Sequence, residues 1–126
     1  MNNEGQKKIA PSSAALAYLG DAVWEVLVRR MLVEKGVSRP SEEALAYVTA
    51  PAQSAAAERI LEHLTEEESD VFRRARNNVH ANVPRHATPA EYRRATGLEA
   101  VFGYLDWAGM EERKTELFRL ALGDAE

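Results

Sequence analysis

Ala14-Ala15-Leu16-Ala17-Tyr18-Leu19-Gly20-Asp21-Ala22-Val23-Trp24-Glu25-Val26-Leu27-Val28 lies in the most apolar segment of the chain. Leu16, Leu19, Val23, Leu27 and Met31 recur at steps of three and four, the spacing of one helix face. Ala22, Val26 and Val28 widen that stripe. The pattern predicts a helix over 14–34 that is buried on more than one side. Ser12 or Ser13 stands where an N-cap belongs, and Lys35-Gly36 forms the stop.

The rest of the chain repeats this helical grammar. A second helix is expected from Pro40 or Ser41 to just before Pro51. Thr49 caps a third, with Pro51 in its first turn, running through Ala55, Ile60 and Leu61 to Leu64. Thr65-Glu66-Glu67-Glu68 is a capping box that starts a fourth helix, ending near Arg76. Residues 77–87 have no period and hold Pro84, which reads as a loop. Thr88-Pro89-Ala90-Glu91 is a second capping box, opening a helix to Trp107 that carries Leu98, Val101, Phe102 and Leu105. Gly109 separates it from a last helix, Glu111 to Leu122, with Leu117, Leu120 and Ala121 inward. No stretch alternates with period two long enough for a strand, and Gly and Pro are scarce, at 7 and 5. The expected fold is all-α, a bundle of five to seven helices formed by residues 12–126 as one domain, with residues 1–11 a flexible arm.

Composition narrows the function. With no Cys among 126 residues, disulfides, cysteine–zinc sites and thiol catalysis are excluded, and a cytoplasmic location fits. No apolar run approaches the length of a membrane span, and no membrane partner is expected. The net charge of −4 argues at first against nucleic acid, but it is unevenly spread. Arg73, Arg74, Arg76, Arg85, Arg93 and Arg94 share the 73–94 window with one acid, Glu91. That window is +5, leaving −9 for the remainder. Arginine forks onto phosphate oxygens. Asn77, Asn78, His80, Asn82 and His86 add hydrogen-bonding groups in the loop between. The bland alternative is two solvated helix ends. A long basic segment without period in a small domain favours phosphate contact.

Asp21 is a poor mid-helix residue, and Gly20 beside it a worse one. Such local conflicts gather at functional sites. Asp21, Glu25 and Arg29 share one face, and a surface Glu25–Arg29 pair accounts for Glu25 but not for Asp21. Ala14 and Ala17, a turn or two earlier, leave room beside the carboxylate. Glu99 sits among Leu98, Ala100, Val101 and Phe102, and Gly103 one turn on is expected to open space on its face. Two carboxylates beside small residues suit Mg²⁺, with Mn²⁺ as a substitute, because Mg²⁺ keeps several waters and needs only one or two carboxylates. Next to an arginine-rich face, the implied chemistry is metal-assisted attack of water on a phosphodiester. Trp24, Tyr18, Tyr104 and Trp107 read as packing residues, or as part of a subunit interface.

Leu16-Ala17-Tyr18-Leu19-Gly20-Asp21-Ala22-Val23-Trp24-Glu25 resembles the signature helix of the ribonuclease III family. Glu99-Ala100-Val101-Phe102-Gly103-Tyr104-Leu105 resembles that family's second signature. Arg74-Ala75-Arg76-Asn77, Val83-Pro84 and Tyr92-Arg93 are similar to the Mini-III branch, a catalytic domain without a double-stranded-RNA-binding domain. The resemblance implies the ribonuclease III endonuclease-domain bundle, a homodimer, and Asp21 and Glu99 as catalytic, metal-binding carboxylates. It implies cleavage of double-stranded RNA in maturation of the large-subunit (23S) ribosomal RNA precursor. Whether a ribosomal protein presents the RNA stays open. The family's further acidic positions are here Ala17, Ala14 and Thr96, and Thr96 is left to orient a metal-bound water. The alternative is a non-catalytic RNA-binding module of the same fold, which would not need Asp21 and Glu99.

Overall fold

A computed structural model describes residues 10–79 and 86–123. Most of the expected arm, and His80 and Arg85 of the expected RNA-binding set, lie outside the described residues. Ser12 accepts from the Ala15 N–H at 3.0 Å and caps α1, Ser13–Lys35. Gly36, at φ 72°, closes it in the left-handed conformation that glycine tolerates. The single helix expected before Pro51 is two turns, α2 (Pro40–Glu43) and α3 (Leu45–Val48). In a continuing helix the Tyr47 carbonyl would accept from residue 51, but Pro51 has no N–H. The Trp24 indole N–H donates to that carbonyl instead, at 2.9 Å.

Thr49 caps α4, Ala50–Ile60, which tightens into a 3₁₀ turn at Leu61–His63, short of the expected Leu64. α5 (Glu66–Asn77) and α6 (Pro89–Trp107) each open on a complete capping box, Thr65 with Glu68 and Thr88 with Glu91. α7 is Glu111–Ala121. Among the described residues there is no strand. The architecture is the expected all-α bundle.

α6 is the central helix, packed against α1, α4, α5 and α7. Leu98, Val101, Phe102 and Leu105 are buried as expected. Trp24, Phe102 and Phe118 meet edge-to-face, with Trp24 5.2 Å from each phenyl centroid. Such pairs add specificity to apolar burial.

α1 departs from the expected stripe. Its buried residues are Leu16, Gly20, Val23, Trp24, Val28 and Leu32. Leu19, Leu27 and Met31 are half-buried, and Ala22 and Val26 face outward beside Tyr18. Tyr18 is 86% exposed, so it is not a packing residue. The cause is a glycine contact that turns the helix. A Cβ on Gly20 would overlap the Glu99 carbonyl, and one on Gly103 would overlap the Leu16 carbonyl. α1 and α6 therefore cross backbone to backbone, which only glycine permits. This corrects the expected role of Gly103. It opens no space for water beside Glu99; it is filled by α1. On α4, Ala55 is exposed, as is Leu61 of the 3₁₀ turn, while Gln53, Ser54, Ala56 and Ala57 are buried.

A buried ion pair ties α5 to α7. Arg113 donates through Nε and Nη2 to the two Glu68 oxygens, at 2.9 and 2.8 Å, and to the His63 carbonyl. Burial alone would raise the Glu68 carboxyl, but Arg113 and the Thr65 N–H outweigh it and hold it below its ordinary value.

Candidate active site

The glycine crossing brings Asp21 of α1 against Glu99 of α6, because each carboxylate neighbours a residue of the contact. Glu99 packs directly on Gly20 through its carbonyl, and Asp21 follows Gly20 in the chain. Asp21 is exposed and Glu99 half-buried. Both line a cleft of about 520 Å³ with Ala14, Ala17, Asn78 and Thr96. The small side chains that leave room are thus Ala14 and Ala17, while the two glycines set the helix separation.

Burial pushes the Glu99 carboxyl up from 4.5 to about 8. The Asp21 charge and hydrogen bond add to the rise, as does the more distant Glu25, and the Gln53 amide works the other way. Two acids share one site here, which is the environment a divalent ion relieves. Glu25 itself pairs with Arg29 at 3.3 Å, as its spacing implied. Among the described residues no three or more Asp, Glu, His or Cys cluster as a metal cage. The donor set is two hard carboxylates beside an open cleft. That fits a hydrated divalent cation, to which water and substrate would supply the remaining oxygens.

Thr96 lies in the cleft with its hydroxyl donating to the Tyr92 carbonyl at 3.0 Å. Its oxygen can still accept from a water. Asn78 also lines the cleft. Arg93 is exposed, one turn before Thr96, and makes no ion pair among the described residues. Arg76 lies over the Phe72 ring at 5.9 Å and donates to Asn77 Oδ1 at 3.2 Å. His86 is exposed, just ahead of α6.

The remaining arginines are placed differently. Arg73 and Arg74 both bind Asp70, at 2.6 and 2.7 Å, and line another cleft, beside Tyr104 and Trp107. Asp70 stands just outside the arginine window and offsets part of its charge. Arg94 donates to Ser54 Oγ at 2.7 Å and approaches Glu58 at 3.6 Å, joining α6 to α4. Gln53 was not anticipated as a site residue. Its one signal is a polar Gln-Ser pair inside the alanine-rich run Ala50-Pro51-Ala52-Gln53-Ser54-Ala55-Ala56-Ala57.

Comparison with known proteins agrees with this geometry. The ribonuclease III domain family matches residues 14–106. A Mini-ribonuclease 3 from Symbiobacterium thermophilum is 47% identical over 109 residues, 84% of this chain and 84% of its own. A Mini-ribonuclease 3 from a Thermoanaerobacter species is 36% identical over 125 residues, 97% of this chain and 87% of its own. A crystal structure of a Fusobacterium nucleatum protein superposes with a TM-score of 0.81 at 32% identity, covering 89% of this chain and 92% of that one.

Proposed function

Because the chain belongs to the ribonuclease III family, as an endoribonuclease of its Mini-ribonuclease 3 branch, we propose that it cuts double-stranded RNA using Mg²⁺ held by Asp21 and Glu99. Its substrate is the large-subunit (23S) ribosomal RNA precursor, and it works in the cytoplasm. The observation that carries this is the pairing of Asp21 with Glu99 at the mouth of a cleft, across a helix contact that no side chain separates. Family membership and both retained carboxylates leave no support for the non-catalytic alternative.

Bound Mg²⁺ would supply an activated water and neutralise charge on the phosphate. Asp21 and Glu99 hold it as anionic oxygen ligands. Thr96 accepts a hydrogen bond from a water in the cleft and so orients it. With only two carboxylates to hold it, the ion would draw on substrate phosphate for further oxygen donors, so metal and RNA binding would reinforce each other. Arg93 and Arg76, with Asn77, Asn78 and His86, hold the duplex backbone. A-form RNA presents phosphates and 2′-hydroxyls more than readable base edges. Arg73 and Arg74 each bind Asp70 through Nη2, so they meet phosphate with their charge already shared with that carboxylate. The test is cleavage of a blunt duplex RNA under Mg²⁺ titration. No cut without Mg²⁺, and paired cuts in the two strands with it, are expected. Cleavage of single strands alone would overturn the reading.

Arg93→Ala is expected to weaken duplex binding several-fold and to lower the slope of log affinity against log salt by about one. A slope equal to that of the wild type removes Arg93 from the interface.

The working form is a homodimer. Tyr18, Ala22, Val26 and Val33 make an apolar row along the outer side of α1, with Val26 52% exposed and Val33 72%. A second copy covering that row removes it from water and sets two clefts side by side, one for each strand. Val26→Glu is expected to sediment as a monomer and to lose duplex cleavage; a variant that stays dimeric excludes α1 as the contact.

A further inference from the structure

Carboxylates, a carbonyl or an aromatic ring engage most of the described arginines and lysines. Four make no ion pair or side-chain hydrogen bond among the described residues: Arg30, Lys35, Arg93 and Arg119. Arg93 is the proposed RNA contact. The other three line one cleft of about 410 Å³, between α1, α3 and α7. We infer that this cleft is a second ligand site, separate from the carboxylate pair, and that it takes a nucleoside 5′-diphosphate. Its phosphates lie against Arg30, Lys35 and Arg119, and its base against the apolar lining beside Tyr47. The inference stands independently of the cleavage reading.

Leu27, Met31, Tyr47 and Leu122, each half-buried, line the cleft together with the buried Phe118. Thr115 adds a hydroxyl. Glu34 is the one acid in the lining, so three cations less one carboxylate leave the cleft at +2. Apolar lining with a few convergent charged groups, in a volume of roughly 300–1,000 Å³, is the character of a small-molecule site. Guanidinium forks match phosphate oxygens, and an aromatic ring suits a base. An inorganic anion would leave the apolar lining wet, and a neutral nucleoside would leave the cations unused. Leu27, Arg30 and Thr115 also border a neighbouring cleft, but its acids, Asp106 and Glu111, are held by Lys114. The cleft also lies apart from the candidate active site. Arg30 and Lys35 are nine and fourteen residues beyond Asp21, about 14 and 21 Å along α1. At about 100° per residue, Leu27, Arg30 and Glu34 stand roughly 120–180° around the helix from Asp21. A duplex lying across Asp21 and Glu99 therefore meets another side of α1.

The test is calorimetric titration of the full chain with ADP and with GDP, in chelator so that nothing is held through a metal at the carboxylate pair. Pyrophosphate and adenosine are titrated as the two halves of the ligand. A Kd on the order of 10–100 μM is expected for the nucleotides, with pyrophosphate and adenosine each at least about tenfold weaker. Arg30→Ala and Arg119→Ala are each expected to weaken nucleotide binding about tenfold. Both side chains are exposed, so neither change opens the core. Arg39→Ala removes a charge outside the cleft and is expected to leave Kd within about twofold. Nucleotide should also raise the Tm of the wild type and not that of Arg119→Ala. No binding of either nucleotide at millimolar concentration overturns the inference, as does a loss equally large in Arg39→Ala. Pyrophosphate bound as tightly as ADP makes the cleft a simple anion site and overturns the nucleotide assignment. A wild type that binds no nucleotide, with Arg119→Ala sedimenting as a monomer, gives the cleft to a second copy of the chain. Failure of the wild type to cut duplex RNA bears only on Asp21 and Glu99, so the two failures are distinct.

Discussion

Asp21→Asn and Glu99→Gln are each expected to lower duplex cleavage by on the order of 10³-fold, equivalent to about 4 kcal/mol of lost transition-state stabilisation. Each removes one of two anionic oxygen ligands, and among the described residues no third Asp, Glu, His or Cys joins the pair in a metal-holding cluster. The stability of Glu99→Gln is expected to rise at high pH while its cleavage falls, which separates loss of a ligand from loss of folding. In the folded, metal-free protein the Glu99 carboxyl titrates at about 8, against 4.5 as its ordinary value. Between those values the native state holds a proton that the unfolded chain has released, so Glu99 makes stability fall as pH rises through that window. Gln cannot ionise. Glu99→Gln is therefore expected to melt several degrees above the wild type at pH 8.5 in chelator, and to gain nothing at pH 4. Adding Mg²⁺ is expected to reverse the order, because the wild type, with both carboxylates, binds it more tightly. Near wild-type cleavage by either variant removes that residue from the catalytic pair. A Tm difference independent of pH would mean that Glu99 is not the group that titrates.

Gly20→Ala carries the second large effect. The added methyl overlaps the Glu99 carbonyl oxygen and carbon and comes within 2.9 Å of the Gly103 nitrogen. All of these are backbone atoms of the central helix and cannot rotate away. α1 and α6 must separate, which opens the core around Trp24 and Phe102. Overpacking at so rigid a contact is expected to cost about 3 kcal/mol or more, a fall in Tm of roughly 10 °C or more. Cleavage falls further than folding does. Even at temperatures where the variant stays native, Asp21 and Glu99 sit on helices pushed apart, and a metal site loose by about 1 Å fails. Gly97→Ala is the contrast, since its methyl meets the Phe72 ring, a side chain that can shift. A Gly20→Ala protein with wild-type Tm and activity would refute the close crossing.

The helices were legible because their signals are local. Both capping boxes, the Gly36 stop and the Pro51 start act through bonds spanning at most a few residues, and all four appear where the sequence places them. Asp21 and Glu99 stood out as carboxylates in apolar helices, a mismatch visible without coordinates. The arginine window was legible as charge, yet what each arginine holds was not. Asp70 lies three and four residues before Arg73 and Arg74, so their pairing follows helix spacing. Arg94 reaches Ser54, forty residues away, and no local period encodes that contact.

By itself, then, the sequence determined an all-α chain with two suspect carboxylates and a concentrated positive segment. Periodicity, capping and charge depend on neighbours along the chain. Tertiary structure alone decided what Gly20 and Gly103 are for, which side of α1 is buried, and that Arg94 reaches Ser54. Those depend on which helix lies across which. A glycine reads the same in sequence whether it leaves a gap or admits another backbone, and here the second helix fills the space.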